Sequence, residues 1–301
     1  MNTFSRLNLA TKQSSGCLVF LFSHEFKIGF EVLLHSLRRS KEISKLDIVI
    51  ITDDLEVVHS AEIAAMAKVV RYITPAEKSL MSTLPKGLVN EKFHLDWSPA
   101  YTFLKFFIFQ DFGYDFHIYL DCDIVCLNSM DKLVEDFRNS DADMMGGCVF
   151  PKHIWMDSNG SRLEKPQINE NIRKFIDNPE GNLNTGVLIY GKRMMDAEIP
   201  NKLLDIARKG KMVNEQAIVH RLIKESELLK LEFFTPLCNF RSNVLRMIDR
   251  KDAKSLLREI VLLHYIASPP WNSIGKGGLP GEIWETEKKR MEKNTLLKST
   301  C

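Results

Sequence analysis

The sequence predicts an α/β fold with a mostly parallel central sheet and helices on both faces. Three observations carry this. Short apolar runs of strand length recur along the chain, stretches with helical apolar spacing lie between them, and a carboxylate pair, Asp121 and Asp123, stands at the end of one run. Strands alternating with helices imply right-handed crossovers and a parallel sheet covered on both faces.

Cys17 to Ser23 is a continuous apolar run and reads as a buried first strand. Phe30, Leu33, Leu34 and Leu37 follow at i, i+3, i+4, i+7, one face of a helix. "KLDIVIITDD" is a second strand ending in a carboxylate turn, "EVVHSAEIAAMA" a helix, and "KVVRYIT" a third strand. From Pro75 to Pro99, with three prolines, the pattern is irregular. "AYTFLKFFIFQDF" reads as a helix and "FHIYL" as the strand that delivers Asp121 and Asp123. Further strands are expected at "DADMMGGCVF", "LNTGVLIYG", "KLEFF" and "IVLLHYI", and helices near Asn201–Arg208 and Glu215–Ile223. The polar stretch 151–181 reads as a loop excursion. The expected organisation is a flexible segment over 1–15, one domain over 16–275 and a basic C-terminal segment over 276–301.

Composition narrows the function. The chain has 301 residues, 45% hydrophobic and 27% charged, as in a globular enzyme-sized domain. Lys and Arg number 41 against 39 Asp and Glu, a balance that gives no reason to expect a nucleic-acid partner. Six scattered cysteines (17, 122, 126, 148, 238, 301) form no CxxC pair, which argues against a zinc site or disulfide framework and for a reducing, cytoplasmic setting. No apolar run reaches the ~20 residues of a membrane span. Lys288, Lys289, Arg290, Lys293 and Lys298, near Trp284 and Met291, read as a solvated charged helix; peripheral contact with an anionic membrane is the alternative.

Two Asp at i and i+2 share a face of a strand, and at a strand end the backbone can turn both toward one cation. In open α/β sheets ligands bind beyond the carboxyl ends of strands. Hard divalent ions such as Mg²⁺ or Mn²⁺ favour carboxylate oxygens and keep positions open for phosphate. The plain alternative is a pair of solvated turn residues. A second chemistry is an aspartyl-phosphate on Asp121 with Asp123 as acid/base, since "YLDCDIV" resembles the opening strand of haloacid-dehalogenase-type phosphatases; no GDxxxD follows it.

From "FLKFFIF…YDFHIYLDCDIVCLNSMDKL" onward the sequence resembles glycosyltransferase family 8, the glycogenin-like and bacterial lipopolysaccharide galactosyl- and glucosyltransferases with the GT-A fold. "NLNTGVLIY" is similar to that family's Asn-[Ser/Thr/Ala]-Gly-Val strand, "NEQAIV" to its [Asp/Glu]-Gln helix start, and "LLHYIASPPWN" to its His-[Phe/Tyr]-x-Gly…Lys-Pro-Trp segment. The resemblance covers roughly Cys17 to Trp271 and implies a GT-A domain that retains anomeric configuration.

It also implies roles. Asp121, Asp123 and His264 would hold Mn²⁺, with Mg²⁺ as the alternative, and UDP-galactose or UDP-glucose would be the donor. Lys105 would meet the donor's phosphates or sugar; Phe22 and Ser23 lie in the uracil-contact region; Cys122 would offer its backbone to the ribose. Gly186 would let the backbone approach the sugar, with Asn184, Glu215 and Gln216 holding it. The acceptor would be a hydroxyl of a glycan, glycolipid or protein-linked sugar. Asp53 and Asp54 read as turn formers. The sequence departs from the family in two places: Ser268-Pro269-Pro270-Trp271 lacks the Lys-Pro-Trp lysine, with Lys276 as the replacement cation, and Ala267 stands for a glycine.

Overall fold

The structure, a computed structural model, describes residues 15–85, 99–210, 214–266, 269–272 and 277–299. The strands in chain order are β1 (Gly16–Leu21), β2 (Asp47–Thr52), β3 (Val69–Tyr72), β4 (Phe116–Leu120), β5 (Ile124–Cys126), β6 (Met144–Cys148), β7 (Leu183–Gly191), β8 (Leu231–Phe233), β9 (Phe240–Arg241) and β10 (Leu262–His264). Among the described residues they form a seven-stranded sheet ordered β3-β2-β1-β4-β7-β6-β8 and a three-stranded sheet ordered β5-β10-β9. In the large sheet only β7 runs against its neighbours β4 and β6.

Side-chain alternation explains the two-faced core. Cys17, Val19, Val49 and Ile51 enter one apolar layer, while Leu18, Phe20 and Ile50 enter the layer on the opposite face. The near-continuous apolar runs in β1 and β2 are what a strand buried on both sides requires. A third cluster lies under the small sheet, where Val125, Phe240 and Leu263 meet Phe150 and Trp284.

Several expectations need correction. The helix expected over 56–67 is two helices, Leu55–His59 and Ala61–Met66, because Ser60 is extended and its hydroxyl caps the second by accepting from Ile63 N. The stretch from Pro75 is not irregular throughout: Pro75–Ser82 is a helix, with Pro75 in its first turn and a capping box in which Thr74 and Glu77 serve each other's backbone amides. Residues 86–98 of that stretch lie outside the described residues. The excursion over 151–181 is not a bare loop, since Lys165–Asp177 is a helix whose Ile168, Ile172 and Phe175 recur at helical spacing and pack into the third cluster.

The C-terminal segment is docked rather than solvated all round. In the helix Gly278–Ser299, Trp284 is 1% exposed and packs on Tyr265 and Trp271, with ring centroids 6.1 and 5.3 Å away. Tyr265 donates to the Pro280 carbonyl at 2.7 Å, and Arg39 donates to both oxygens of buried Glu287 at 2.7 and 2.8 Å. Trp284 is therefore a core residue and offers nothing to a membrane surface. No helix among the described residues is long and apolar enough to cross a membrane. The described cysteines, Cys17, Cys122, Cys126, Cys148 and Cys238, are free and buried.

Candidate active site

The C-terminal ends of β1 and β4 and the N-terminal end of antiparallel β7 lie at one edge of the large sheet. The helix Glu215–Glu225 starts there too, with Asn214 as its cap accepting from Ala217 N at 3.1 Å. These ends surround a cavity of about 480 Å³. Asp121-Cys122-Asp123 forms its floor and is also the bridge by which the chain leaves β4 in the large sheet and enters β5 in the small one. Asp121 N donates to Gly186 O at 2.8 Å on the first side, and Tyr265 N donates to Asp123 O at 2.8 Å on the second.

The strand end and the sheet change together turn both carboxylates toward His264. His264 Nε2 lies 3.1 Å from Asp123 Oδ1 and 3.7 Å from Asp121 Oδ2, and ligand atoms of the three lie within 4.8 Å of one another. Octahedral metal ions bound at ~2.1 Å hold adjacent ligands about 3 Å apart, so the donor set and its spacing fit a divalent cation. Imidazole beside two carboxylates suits Mn²⁺ better than an all-oxygen site does. His264 is 3% exposed and seated by Gly186: a Cβ there would collide with His264 Cε1 and come within 2.7 Å of Nδ1.

Lys105 opens a 3-10 turn (Lys105–Phe109) after the helix Pro99–Leu104; Phe106, Ile108 and Phe109 are buried in the core while Lys105 turns into the cavity. It is not a surface lysine. Its ammonium lies 2.9 and 3.1 Å from the Asp121 oxygens and 3.5 Å from Glu215 Oε1. Burial pushes the Lys105 pKa down, but Asp121, Glu215 and Asp123 outweigh it and leave it raised. Burial likewise pushes Asp121 up, yet Lys105 and the Tyr119 hydroxyl, which donates at 2.6 Å, hold it below the usual carboxylate range. Three carboxyl groups, Asp121, Asp123 and Glu215, thus face one ammonium, an imbalance that a dication would relieve.

The remaining expected residues, Lys276 apart, also line the cavity. Asn184 donates to Gln216 Oε1 at 3.3 Å, and Thr185 donates to Glu215 Oε1 at 2.9 Å. Phe22, stacked on Phe30 at 4.7 Å, and Ser23 line the far wall after β1. The Cys122 thiol is buried, and burial beside the two aspartates raises its pKa well above the ordinary thiol value, so it stays protonated. Asp54 is a helix cap that accepts from Glu56 N and His24 N, whereas Asp53 faces the cavity and is ion-paired with Lys78. Lys276, with Ala267 and Ser268, lies outside the described residues. Sequence reasoning missed Tyr119 and Asn239. Tyr119 was legible from its i−2 position before Asp121, on the same strand face; Asn239 carried no such signal.

Comparison with known proteins bears on the family and the fold. A family model described as "Glycosyl transferase family 8" matches residues 17–275. That match sets aside the phosphatase reading of Asp121. No curated protein matches the chain significantly. Among solved structures, the galactosyltransferase LgtC, in complex with donor and acceptor sugar analogues, superposes with a TM-score of 0.59 at 13% identity, covering 91% of this chain and 95% of that one. The glycosyltransferase GlyE of Streptococcus pneumoniae TIGR4 gives 0.55 at 17% identity, covering 96% of this chain and 64% of that one. Mouse xyloside xylosyltransferase 1 gives 0.51 at 15% identity, covering 85% and 99%. This chain therefore spans less than two thirds of GlyE. At these identities the superpositions speak to fold, and the fold is GT-A.

Proposed function

The chain belongs to glycosyl transferase family 8, and from that premise we propose that it is a retaining hexosyltransferase that moves galactose or glucose from a UDP-sugar to a hydroxyl acceptor, with Mn²⁺ as cofactor. The observation that carries the reading is the meeting of Asp121, Asp123 and His264 at the cavity floor beside Lys105. A bound Mn²⁺ would supply Lewis-acid neutralisation of the departing diphosphate. Asp121 and Asp123 hold their oxygens on the site, and Lys105 adds a fixed positive charge next to it. Phe22, Ser23 and the Cys122 backbone line the nucleoside side. Glu215, Asn184 and Gln216 present carboxylate and amide groups to sugar hydroxyls, and Gly186 leaves its backbone open to the sugar. The Cys122 thiol is protonated and Asp121 is tied to Lys105 and Tyr119, so neither of these two presents itself as a covalent nucleophile. Front-face attack assisted by the leaving phosphate is the route this arrangement favours.

Acceptors of this class are hydroxyls of a glycan, glycolipid or protein-linked sugar, and the chain around 151–181 is the segment we assign to acceptor choice. The deciding experiment is a thermal-shift series with UDP and UDP-sugars, each with and without Mn²⁺, since a ligand that binds only the native state raises the melting point. UDP should raise it with Mn²⁺ and not without; no shift in either condition would remove the reading. The missing lysine in Ser268-Pro269-Pro270-Trp271 favours one second reading, a relative that binds nucleotide-sugar without turnover. Binding of UDP with Mn²⁺ but no release of UDP from any UDP-hexose would establish it.

A further inference from the structure

Asn239, 2% exposed, reaches the site from the segment Pro236–Asn239 and bridges two of its residues. One end of its amide lies 2.7 Å from Asn184 Oδ1 and the other 2.8 Å from His264 Nδ1. Which end is which follows from a donor that cannot be reversed. The backbone N–H of Gly186 can only donate, so the Asn184 atom 3.0 Å from it is the side-chain oxygen. The same oxygen meets Asn239, so the Asn239 atom there is the amide nitrogen. Asn239 Oδ1 is left for His264, and because it can only accept, Nδ1 must carry a hydrogen. That leaves Nε2, the nitrogen facing Asp123 and Asp121, as the one whose hydrogen a bound cation would displace to take up the lone pair.

We propose that Asn239 is a positioning residue that keeps a hydrogen on His264 Nδ1, so that Nε2 is the nitrogen that offers its lone pair to a cation in the gap between the two aspartates. Two glycines clear the space for this pair. A Cβ on Gly147 would come within 2.5 Å of Asn239 Nδ2, as one on Gly186 would collide with His264. The other branch of the relay runs from Asn184 Nδ2 to Gln216 Oε1 at 3.3 Å, so a single backbone amide orients two asparagines, a histidine and a glutamine. An imidazole free in water favours the opposite, Nε2–H form, which would turn a hydrogen toward the aspartates. Groups that hold the second nitrogen of a ligand histidine typically contribute about 10–100-fold in metal affinity.

The tautomer is a property of the metal-free chain; only the affinity readout rests on the metal reading. The test is long-range ¹H–¹⁵N correlation of ¹⁵N-histidine-labelled, chelator-treated protein, with the pH raised until the His264 signals show a single ring hydrogen and His264 assigned by its loss in His264→Gln. Wild type should show Nδ1–H. Asn239→Leu, which removes both hydrogen bonds, should move His264 toward Nε2–H and lower Mn²⁺ affinity in the presence of UDP about 10–100-fold by calorimetry. Asn239→Asp loses the donation to Asn184 Oδ1 but keeps an acceptor for Nδ1–H, and should restore the Nδ1–H signal. A wild-type Nε2–H spectrum overturns the assignment, with no variant needed, and so does an Asn239→Leu protein with tautomer and affinity unchanged. A wild-type Nδ1–H spectrum in a protein that binds no Mn²⁺ with UDP would leave the assignment standing and remove the metal reading instead.

Discussion

Gly186 and His264 share one volume: the imidazole occupies the place where any side chain on residue 186 would begin. His264 cannot back away, because β10 is paired on one side with β5 and on the other with β9. Gly186→Ala should therefore cost about 1–3 kcal/mol by overpacking and lower Mn²⁺ affinity about tenfold or more by displacing the ring. Chemical unfolding and calorimetry check the two effects separately. An alanine variant with wild-type values in both would mean that the ring has room the structure does not show.

Asp123→Asn keeps the volume of the side chain and its neighbours while removing one negative charge from the ring. Mn²⁺-dependent hydrolysis of UDP-sugar should fall about a hundredfold or more, with the far-ultraviolet spectrum and melting point near wild type. Undiminished turnover would show that the pair does not hold the metal.

Lys105 separates Asp121 from Glu215, at 2.9 and 3.5 Å. In Lys105→Met the buried Glu215 and the partly exposed Asp121 lose their shared cation, a loss at or below the low end of the about 3–5 kcal/mol for breaking a buried pair. Added Mn²⁺ should recover part of that loss, because a dication can take over the same charges. Urea unfolding with and without Mn²⁺ measures both; a variant as stable as wild type would place Lys105 outside the charge balance of the site.

Glu77, paired with Arg71 and capping its helix with Thr74, provides a pH test away from the site. Burial alone would raise its pKa, but Arg71 and the Thr74 backbone and hydroxyl bring it down to about 2. A depressed folded-state pKa means that its stabilisation is complete above the unfolded value of 4.5 and is lost as pH falls from there toward about 2. Glu77 is near a third exposed, so solvent screening leaves about 1 kcal/mol. Glu77→Gln should narrow by that amount the stability difference between about pH 6 and about pH 3. Equal pH dependence in the two proteins would contradict it.

Where local pattern and tertiary role coincide, the sequence was readable. "LNTGVLIYG" is β7 over its whole length, Leu183–Gly191, and the apolar run before Asp121 is β4. The ring of Asp121, Asp123 and His264 was reached through motif order rather than periodicity, since 143 residues (264 − 121) separate its ends. The small sheet was not foreseen because β5 is three residues and β9 two, too short to show alternation. The helix Lys165–Asp177 was hidden by its polar composition, although Ile168, Ile172 and Phe175 lie four and three residues apart. Asn239 was invisible for a different reason: its importance lies in what touches it, and nothing in "PLCNFRSN" announces a bridge to residues 184 and 264.

The short passage Asp121-Cys122-Asp123 joins two sheets, and this ties the site to fluctuations of the fold. Proteins open in cooperative parts at free energies below that of global unfolding. If β5, β10 and β9 detach as one such part, Asp123 and His264 leave with them while Asp121 stays with β4. The ring then vanishes in a molecule that is otherwise still folded. Amide exchange at Leu262–His264 would thus report the lifetime of the assembled site, and a bound cation would act as a clasp, slowing the opening of that sheet before it altered anything else.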